Sequence, residues 1–406
     1  MKKMSEIPMK SFLILEDGTV FEGIHIGAEK EIISEIVFNT SMAGYPEVLT
    51  DPSYAGQAVC MTYPLIGNYG VCRDDMESKK PWPDGFIVRE LSRVSSNFRS
   101  DMTIQEFLEE YGVPGISGID TRALTKILRE KGTMNGMITT RDGYDLDEII
   151  PRLKKYTTGK VVEKVTCEHK YEIKGSKSLE ENGAISGSAR FNKEAYQKGI
   201  HEKKPGLVKA LNGAGKKVAL LDFGAKDNIA DSLVKRGCDV IVYPALTKAE
   251  EIIEDAPDGI MLSNGPGDPK ECTSIIEEIK KLYHTDIPIF AICLGHQLMA
   301  LATGADTFKM KYGHRGGNHP VKDLQTGRVY ISSQNHGYVV DMEKLDSKIA
   351  TPAFINVNDG TNEGLSYTGK NIFTVQFHPE ACPGPQDSGY LFDRFIDMMK
   401  AREKDA

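Results

Sequence analysis

The sequence predicts an α/β protein in two parts: an N-terminal mixed α/β domain followed by a doubly wound, mostly parallel-sheet domain. Three observations carry this. From about residue 216, short apolar runs alternate with amphipathic runs of helical length, the pattern of a parallel sheet covered on both faces. Residues 10–155 instead show short strand-like runs broken by turn signals and only a few helical stretches. Between them lies a polar stretch rich in Gly, Ser and Lys, "KGSKSLEENGAISGSARFNKEAYQKGIHEKKPG". The expected boundaries are 1–155 for the first domain, 156–215 for a linker and 216–406 for the second domain, with some local strand near Tyr171 to Ile173.

In order, "SFLILEDGTVFEG" predicts a hairpin turning at Asp17-Gly18. "EIISEIVFNTS" and "GQAVCMTYPLIGNYG" predict further strands and loops. "MTIQEFLEEYG" and "TRALTKILREKG" have helical spacing, each closed by glycine. In the second domain four strand–helix pairs follow. "KKVALLDFG" leads to "NIADSLVKRG", "DVIVYPA" to "KAEEIIEDA", "DGIMLSNG" to "SIIEEIKKLYH", and "IPIFAIC" to "HQLMALATG". Strand-like "GRVYISSQ" and "IFTVQFHPE" come next, and an amphipathic helix around "GYLFDRFIDMMKARE" closes the pattern.

The chain has 406 residues, 40% hydrophobic and 27% charged, ordinary for a globular protein. Its net charge of −8 argues against nucleic acid or an anionic membrane as the main partner. No apolar stretch approaches the roughly 20 residues of a membrane span, and the N-terminal segment lacks the apolar core of a signal peptide. Seven dispersed cysteines without CxxC spacing suggest reduced thiols in a cytoplasmic protein, with no disulfide framework. "GAGKKV" lacks phosphate-loop spacing and precedes a strand, and "GPGDPK" is not GxGxxG. His314 and His319 have no carboxylate or cysteine neighbour at a recognised metal spacing, so no metal is expected.

Chemistry is expected at the C-terminal edge of the parallel strands, where open α/β sheets bind ligands. Two special loops fall there: "SNGPGDP" and the turn at Cys293. Ala291 and Gly295 flank Cys293 two residues to each side, as in a nucleophile elbow. A helix starting just after Cys293 favours thiolate, and the Leu294 N–H would face a developing oxyanion. A thiol nucleophile needs a base, and the base an orienting group. "VQFHPE" supplies His378 and Glu380 at the end of another strand. His296 is nearer in sequence but sits on the elbow helix, where packing is its expected role. The residues alone also fit a buried cysteine and an ordinary His-Pro-Glu turn.

"SNGPGDP", "AICLGHQ" and "FTVQFHPE", in this order, resemble the signature set of class I, triad-type glutamine amidotransferases. The first elbow position is commonly glycine in that family and is Ala291 here. "LEDGTVFEG", "VFNTSMAGYPEVLTDPSYAGQ", "IDTRALTKILREKGTMNG", "LDFGAKDNI" and "GHRGGNHPV" narrow the resemblance to carbamoyl phosphate synthetase small chains. The resemblance implies Cys293 as nucleophile, His378 as base and Glu380 as orienting acid. It implies L-glutamine contacts from Ser53, Gly265, Gly267, Leu294, Gln297, Asn335, Gly337 and Tyr338. It further implies a large-subunit partner that makes carbamoyl phosphate from bicarbonate, ATP and the released ammonia. ATP and Mg would then bind that subunit and no cofactor this chain. The glycines of "GHRGGNHP" would leave room for ammonia to exit. The alternatives are the glutaminase subunit of another amidotransferase pathway and a Cys-His hydrolase acting on peptides.

Overall fold

The computed structural model describes residues 8–175, 212–381 and 383–405. It divides into two compact units, Met1–Gly159 and Lys160–Ala406. Most of the polar stretch expected as linker lies outside the described residues.

In the first unit, strands β1 (Lys10–Leu15), β2 (Val20–Gly27), β3 (Ile32–Asn39), β4 (Gln57–Met61), β5 (Leu65–Ile66), β6 (Gly85–Ile87), β7 (Glu90–Leu91), β8 (Pro114–Ser117) and β9 (Met134–Thr139) are present. Seven of them close a barrel in the order β1-β2-β8-β6-β4-β3-β9, while β5 and β7 pair separately. The predicted hairpin is β1–β2, where Asp17 Oδ1 accepts the Thr19 N–H at 2.9 Å. The two predicted helices are Ile104–Tyr111 and Thr121–Lys131. Thr103 and Glu106 form a capping box on the first, and Gly112 ends it at φ 70°, a left-handed value suited to glycine.

The second unit starts before the expected linker ends. Helix Val162–Val165 and strand β10 (Tyr171–Ile173) both belong to it, and β10 adds antiparallel to the sheet. β10 falls on the local strand expected near Tyr171 to Ile173, whereas the one-turn helix was too short to read from the sequence. Then come β11 (Lys217–Asp222), β12 (Asp239–Pro244), β13 (Gly259–Leu262), β14 (Ile289–Ile292), β15 (Asp306–Asp323), β16 (Val329–Asp341), β17 (Ala350–Asn356), β18 (Asn362–Tyr367) and β19 (Ile372–Val375). The ten-stranded sheet runs β10-β12-β11-β13-β14-β19-β18-β17-β15-β16. Its centre, β12-β11-β13-β14-β19, is parallel, and the strands from β18 to β16 extend it antiparallel.

The central strands are apolar on both faces. Ile289 and Ala291 pack with Ile275, Ile279 and Leu298 from helices Thr273–Tyr283 and Leu294–Ala302. Phe290 and Ile292 face the other way, toward Ile229, Leu233, Phe392 and Phe395 from helices Asp227–Val234 and Tyr390–Asp405. This two-sided burial is why the strands read as continuous apolar runs. "GHRGGNHP", whose glycines are expected to leave room for ammonia to exit, lies inside β15, whose register shifts between Lys309 and His314 and between Gly316 and His319. These irregularities accommodate the glycines without ending the strand.

Gly295 is where helix Leu294–Ala302 meets β13. A Cβ there would lie 2.5 Å from Leu262 O, and backbone cannot yield as a flexible side chain does. Gly295→Ala should therefore destabilise the second unit by about 1–3 kcal/mol. Thermal unfolding followed by amide exchange of β13 and β14 checks this.

Candidate active site

Cys293 follows β14 and precedes helix Leu294–Ala302, with φ 52° and ψ −104°. A non-glycine residue at positive φ is strained and persists only where its surroundings over-determine it. Here they do. Cys293 N donates to Val375 O at 2.8 Å, Gly295 N to Ser263 O at 3.0 Å, and Gln297 N to Cys293 O at 3.2 Å. Leu294, the first helical residue, has no carbonyl one turn earlier within the helix for its N–H. The Cys293 thiol, 2% exposed, donates to Asn335 O at 3.6 Å.

β19 lies beside β14, with Ile292 opposite Val375, so the segments leaving these strands are neighbours. His378 follows three residues after Val375 and is 1% exposed. Its N–H donates to Ser333 O at 2.9 Å, forming an isolated bridge with β16. β16 is the last strand of the sheet. Its carbonyls thus serve both groups, Ser333 O taking the His378 backbone and Asn335 O the Cys293 thiol.

His378 Nδ1 lies 2.6 Å from Glu380 Oε1, and its buried Nε2 makes no hydrogen bond. A carboxylate on Nδ1 keeps the proton there and leaves Nε2 as the lone-pair nitrogen. Lys226, absent from the expected site, completes the group: its Nζ is 2.7 Å from Glu380 Oε1, with the side chains 2% and 0% exposed. Burial alone would raise the Glu380 pKa, but Lys226 and His378 outweigh it and hold the carboxyl well below its ordinary value. His296 has no such partner. It is fully buried with Nδ1 2.7 Å from Thr374 Oγ1, and burial pushes it down to about 3. It is a packed neutral imidazole.

Lys226 is placed by the turn after β11. Asp222 Oδ1 accepts Gly224 N at 2.9 Å and Ala225 N at 2.7 Å, and its Oδ2 accepts Cys167 N at 2.7 Å. The "SNG" segment stitches on: Ser263 Oγ accepts Phe223 N at 2.9 Å and Asn264 Oδ1 accepts Lys226 N at 3.0 Å. Gly265 is required by close approach, since a Cβ would lie 2.2 Å from Phe223 O and 2.8 Å from Leu294 Cδ2. Gly267 has φ 94°. The sequence signal for Lys226 was its motif, "LDFGAKDNI", which carried family resemblance but no assigned role.

The other expected residues fall as follows. Gln297 Nε2 donates to Tyr338 O at 2.8 Å and to Gln376 Oε1 at 2.9 Å, tying the elbow helix to β16. Asn335, Gly337 and Tyr338 all lie on β16. Ser53 belongs to the first unit, buried in the single turn Pro52–Tyr54, where its N–H donates to Asp51 Oδ1 at 2.9 Å.

Glu380→Gln removes more than a partner for the imidazole. It leaves the Lys226 ammonium in the interior without its carboxylate, a change that typically costs about 3–5 kcal/mol. Lys226→Met paired with Glu380→Gln should recover part of that loss. Chemical denaturation of the single and double variants checks the expected coupling.

A family model described as carbamoyl-phosphate synthase small chain, CPSase domain, matches residues 13–138, and one described as glutamine amidotransferase class-I matches residues 219–398. Among curated proteins, the chain is 48% identical to the carbamoyl phosphate synthase small chain of Fusobacterium nucleatum, over 95% of this chain and 96% of that one. It is 48% identical to the protein of the same name from Clostridium perfringens, over 96% and 99%. It is 46% identical to the carbamoyl phosphate synthase pyrimidine-specific small chain of Bacillus subtilis, over 98% of each. At this identity over nearly the whole length, the chain belongs to the carbamoyl phosphate synthase small chain family.

Proposed function

We propose that this chain hydrolyses L-glutamine and passes the ammonia to a large subunit that makes carbamoyl phosphate from bicarbonate and ATP. One observation carries the chemistry: a buried His378 held at Nδ1 by ionised Glu380, with Nε2 left available, beyond the strand that neighbours the Cys293 elbow.

His378 Nε2 takes the thiol proton, and the Cys293 sulfur attacks the carboxamide carbon. The carbonyl oxygen becomes an oxyanion facing the Leu294 N–H and backbone near Gly265. Such a donor is typically worth about 3 kcal/mol of barrier. His378 returns its proton to the departing nitrogen, releasing ammonia and leaving a glutamyl thioester. Water, deprotonated by the same Nε2, then frees glutamate and restores the thiol. Gln297, Asn335, Gly337, Tyr338, Gly267 and Ser53 are assigned to glutamine binding through their family motifs. ATP and Mg are assigned to the large subunit. Among the described residues no helix is long and apolar enough to cross a membrane.

Selective alkylation tests the nucleophile. The six described cysteines are buried thiols, none of them in a disulfide. Burial pushes Cys238 and Cys272 up to about 12, and raises Cys60 and Cys167 as well. A limiting dose of a glutamine-analogue electrophile should label Cys293 in step with lost activity. Dominant labelling of another thiol, with activity lost in step, contradicts the assignment.

The two-subunit complex tests the division of labour. Cys293→Ser should abolish carbamoyl phosphate formation from glutamine and spare formation from added ammonium. His378→Asn should behave the same way. An assembled, folded Cys293→Ser complex that also fails with ammonium overturns the proposal.

A further inference from the structure

The histidines of "GHRGGNHP" take no part in the site above, yet topology gives them partners that spacing along the chain concealed. His314 on β15 pairs with His336 on β16, and Glu363 reaches them from β18. All three are buried, and one ligand-capable atom from each lies within 4.8 Å of the others.

Hydrogen bonding decides where the protons sit. His314 Nε2 is 2.8 Å from Asp359 Oδ2, so a neutral ring carries its N–H there and Nδ1 is the lone-pair nitrogen. That Nδ1 makes no hydrogen bond and lies 3.5 Å from Glu363 Oε1. His336 Nδ1 is 2.8 Å from Tyr338 O, which accepts only, so the lone pair is on Nε2. Nε2 in turn lies 3.0 Å from Gln334 Oε1. The Gln334 amide is oriented by its Nε2, which donates to Glu363 Oε1 at 2.9 Å and to Ser332 Oγ at 3.2 Å. Asn356 Nδ2 also donates to Glu363 Oε1 at 2.9 Å.

Acceptor atoms therefore face one another: His336 Nε2, Gln334 Oε1, the Glu363 carboxylate and, when its ring is neutral, His314 Nδ1. Asp359 and Glu363 together favour the protonated His314 ring against the cost of burial, with a proton on Nδ1 toward Glu363 that a metal ion would displace. Glu363 Oε2 and the neighbouring His319 Nε2 are likewise buried without a hydrogen-bond partner. The His314 and His319 ring centroids are 4.9 Å apart. Facing lone pairs repel at these distances, and a cation among them turns repulsion into coordination. Each imidazole is also held from its far nitrogen, one by a carboxylate and one by a backbone carbonyl, which is how metal-ligating histidines are oriented. Two imidazoles and a carboxylate suit zinc and its first-row neighbours over magnesium or calcium. The His314–Glu363 spacing is near the about 3.3 Å edge of a tetrahedron with zinc–ligand bonds of roughly 2 Å.

We propose that His314, His336 and Glu363 bind one divalent transition-metal ion, zinc in the first instance, with Gln334 or His319 completing the set. The ion is structural: it pins β15, β16 and β18 together, with β16 itself carrying Asn335 and Gly337.

The test uses the full chain as Cys293→Ser, which removes the thiol most able to compete for zinc. After stripping with a chelator, it is titrated with zinc alone against a chromophoric competitor. The expected result is one zinc per chain, a raised thermal midpoint, and an X-ray absorption spectrum with nitrogen and oxygen neighbours and imidazole scattering. His314→Asn and Glu363→Gln should each weaken binding at least tenfold, and His319→Asn reports whether that ring is the fourth ligand. No saturable binding overturns the proposal and leaves the cluster bridged by protons. Sulfur ligation overturns it too, as does equal affinity in folded His314→Asn and Glu363→Gln chains. Stoichiometry and ligand type come from the chain with the cluster intact, so a variant that fails to fold does not obscure the answer.

Discussion

The second unit is organised around a buried ion pair. Lys226 and Glu380 meet at 2.7 Å with almost no exposure. Removing two such ions from water costs several kcal/mol each, and an apolar pair of the same volume would often be at least as stable. Stability alone therefore does not explain the pair. Its consequence at His378 does. An ionised Glu380 can only accept, so it holds the proton on Nδ1 and leaves Nε2 as the lone-pair nitrogen, whereas a protonated one could donate instead. Lys226 keeps Glu380 ionised where burial would otherwise protonate it. His296, equally buried but beside a hydroxyl in place of a carboxylate, is held neutral by its burial.

That requirement explains why three loops are stitched together. Lys226 leaves β11, Asn264 leaves β13 and Glu380 leaves β19, so the pair joins the ends of strands that are not neighbours in the sheet. The Asp222 side chain folds the first loop, and Asn264 fastens it to the second. The strained Cys293 backbone sits between them, held by Val375 O and by the Gly295–Ser263 bond. Each hydrogen bond is worth about 1 kcal/mol net. Together they fix positions that a single loop would leave free, and fixed position is what the proposed nucleophile and base require.

How far the sequence disclosed this depends on whether the determinant was local. Cys293, His378 and Glu380 lie at strand ends whose apolar runs and turn residues are continuous along the chain, so their placement was legible. The capped helices of the first unit were legible for the same reason, since Thr103, Glu106 and Gly112 act within one helix. Closure of its strands into a barrel was not, because it depends on pairings such as β1 with β9 across more than a hundred residues. Nor was Lys226, whose partner lies far downstream and whose own neighbours carry no sign of burial. The strand around the glycines of β15 was not legible, because two register shifts break its alternation. Helix Val162–Val165 was too short for any period to show.

The edge strand β16 brings these threads together. The last strand of a sheet carries backbone groups without a neighbouring strand, usually a liability. Here two of its carbonyls are used, Ser333 O by the His378 backbone and Asn335 O by the Cys293 thiol. The alternate residues Ser332, Gln334 and His336 turn their side chains into the cluster around Glu363. The two-residue period of a strand thus divides labour along a few positions, one set meeting the reactive groups and the other anchoring the strand that carries them. A slip of one residue would exchange the two sets. The buried polar cluster opposes that slip, because misplaced His336 and Gln334 would lose partners that the apolar surroundings cannot replace. The cluster therefore acts on the reactive groups by setting the register of β16.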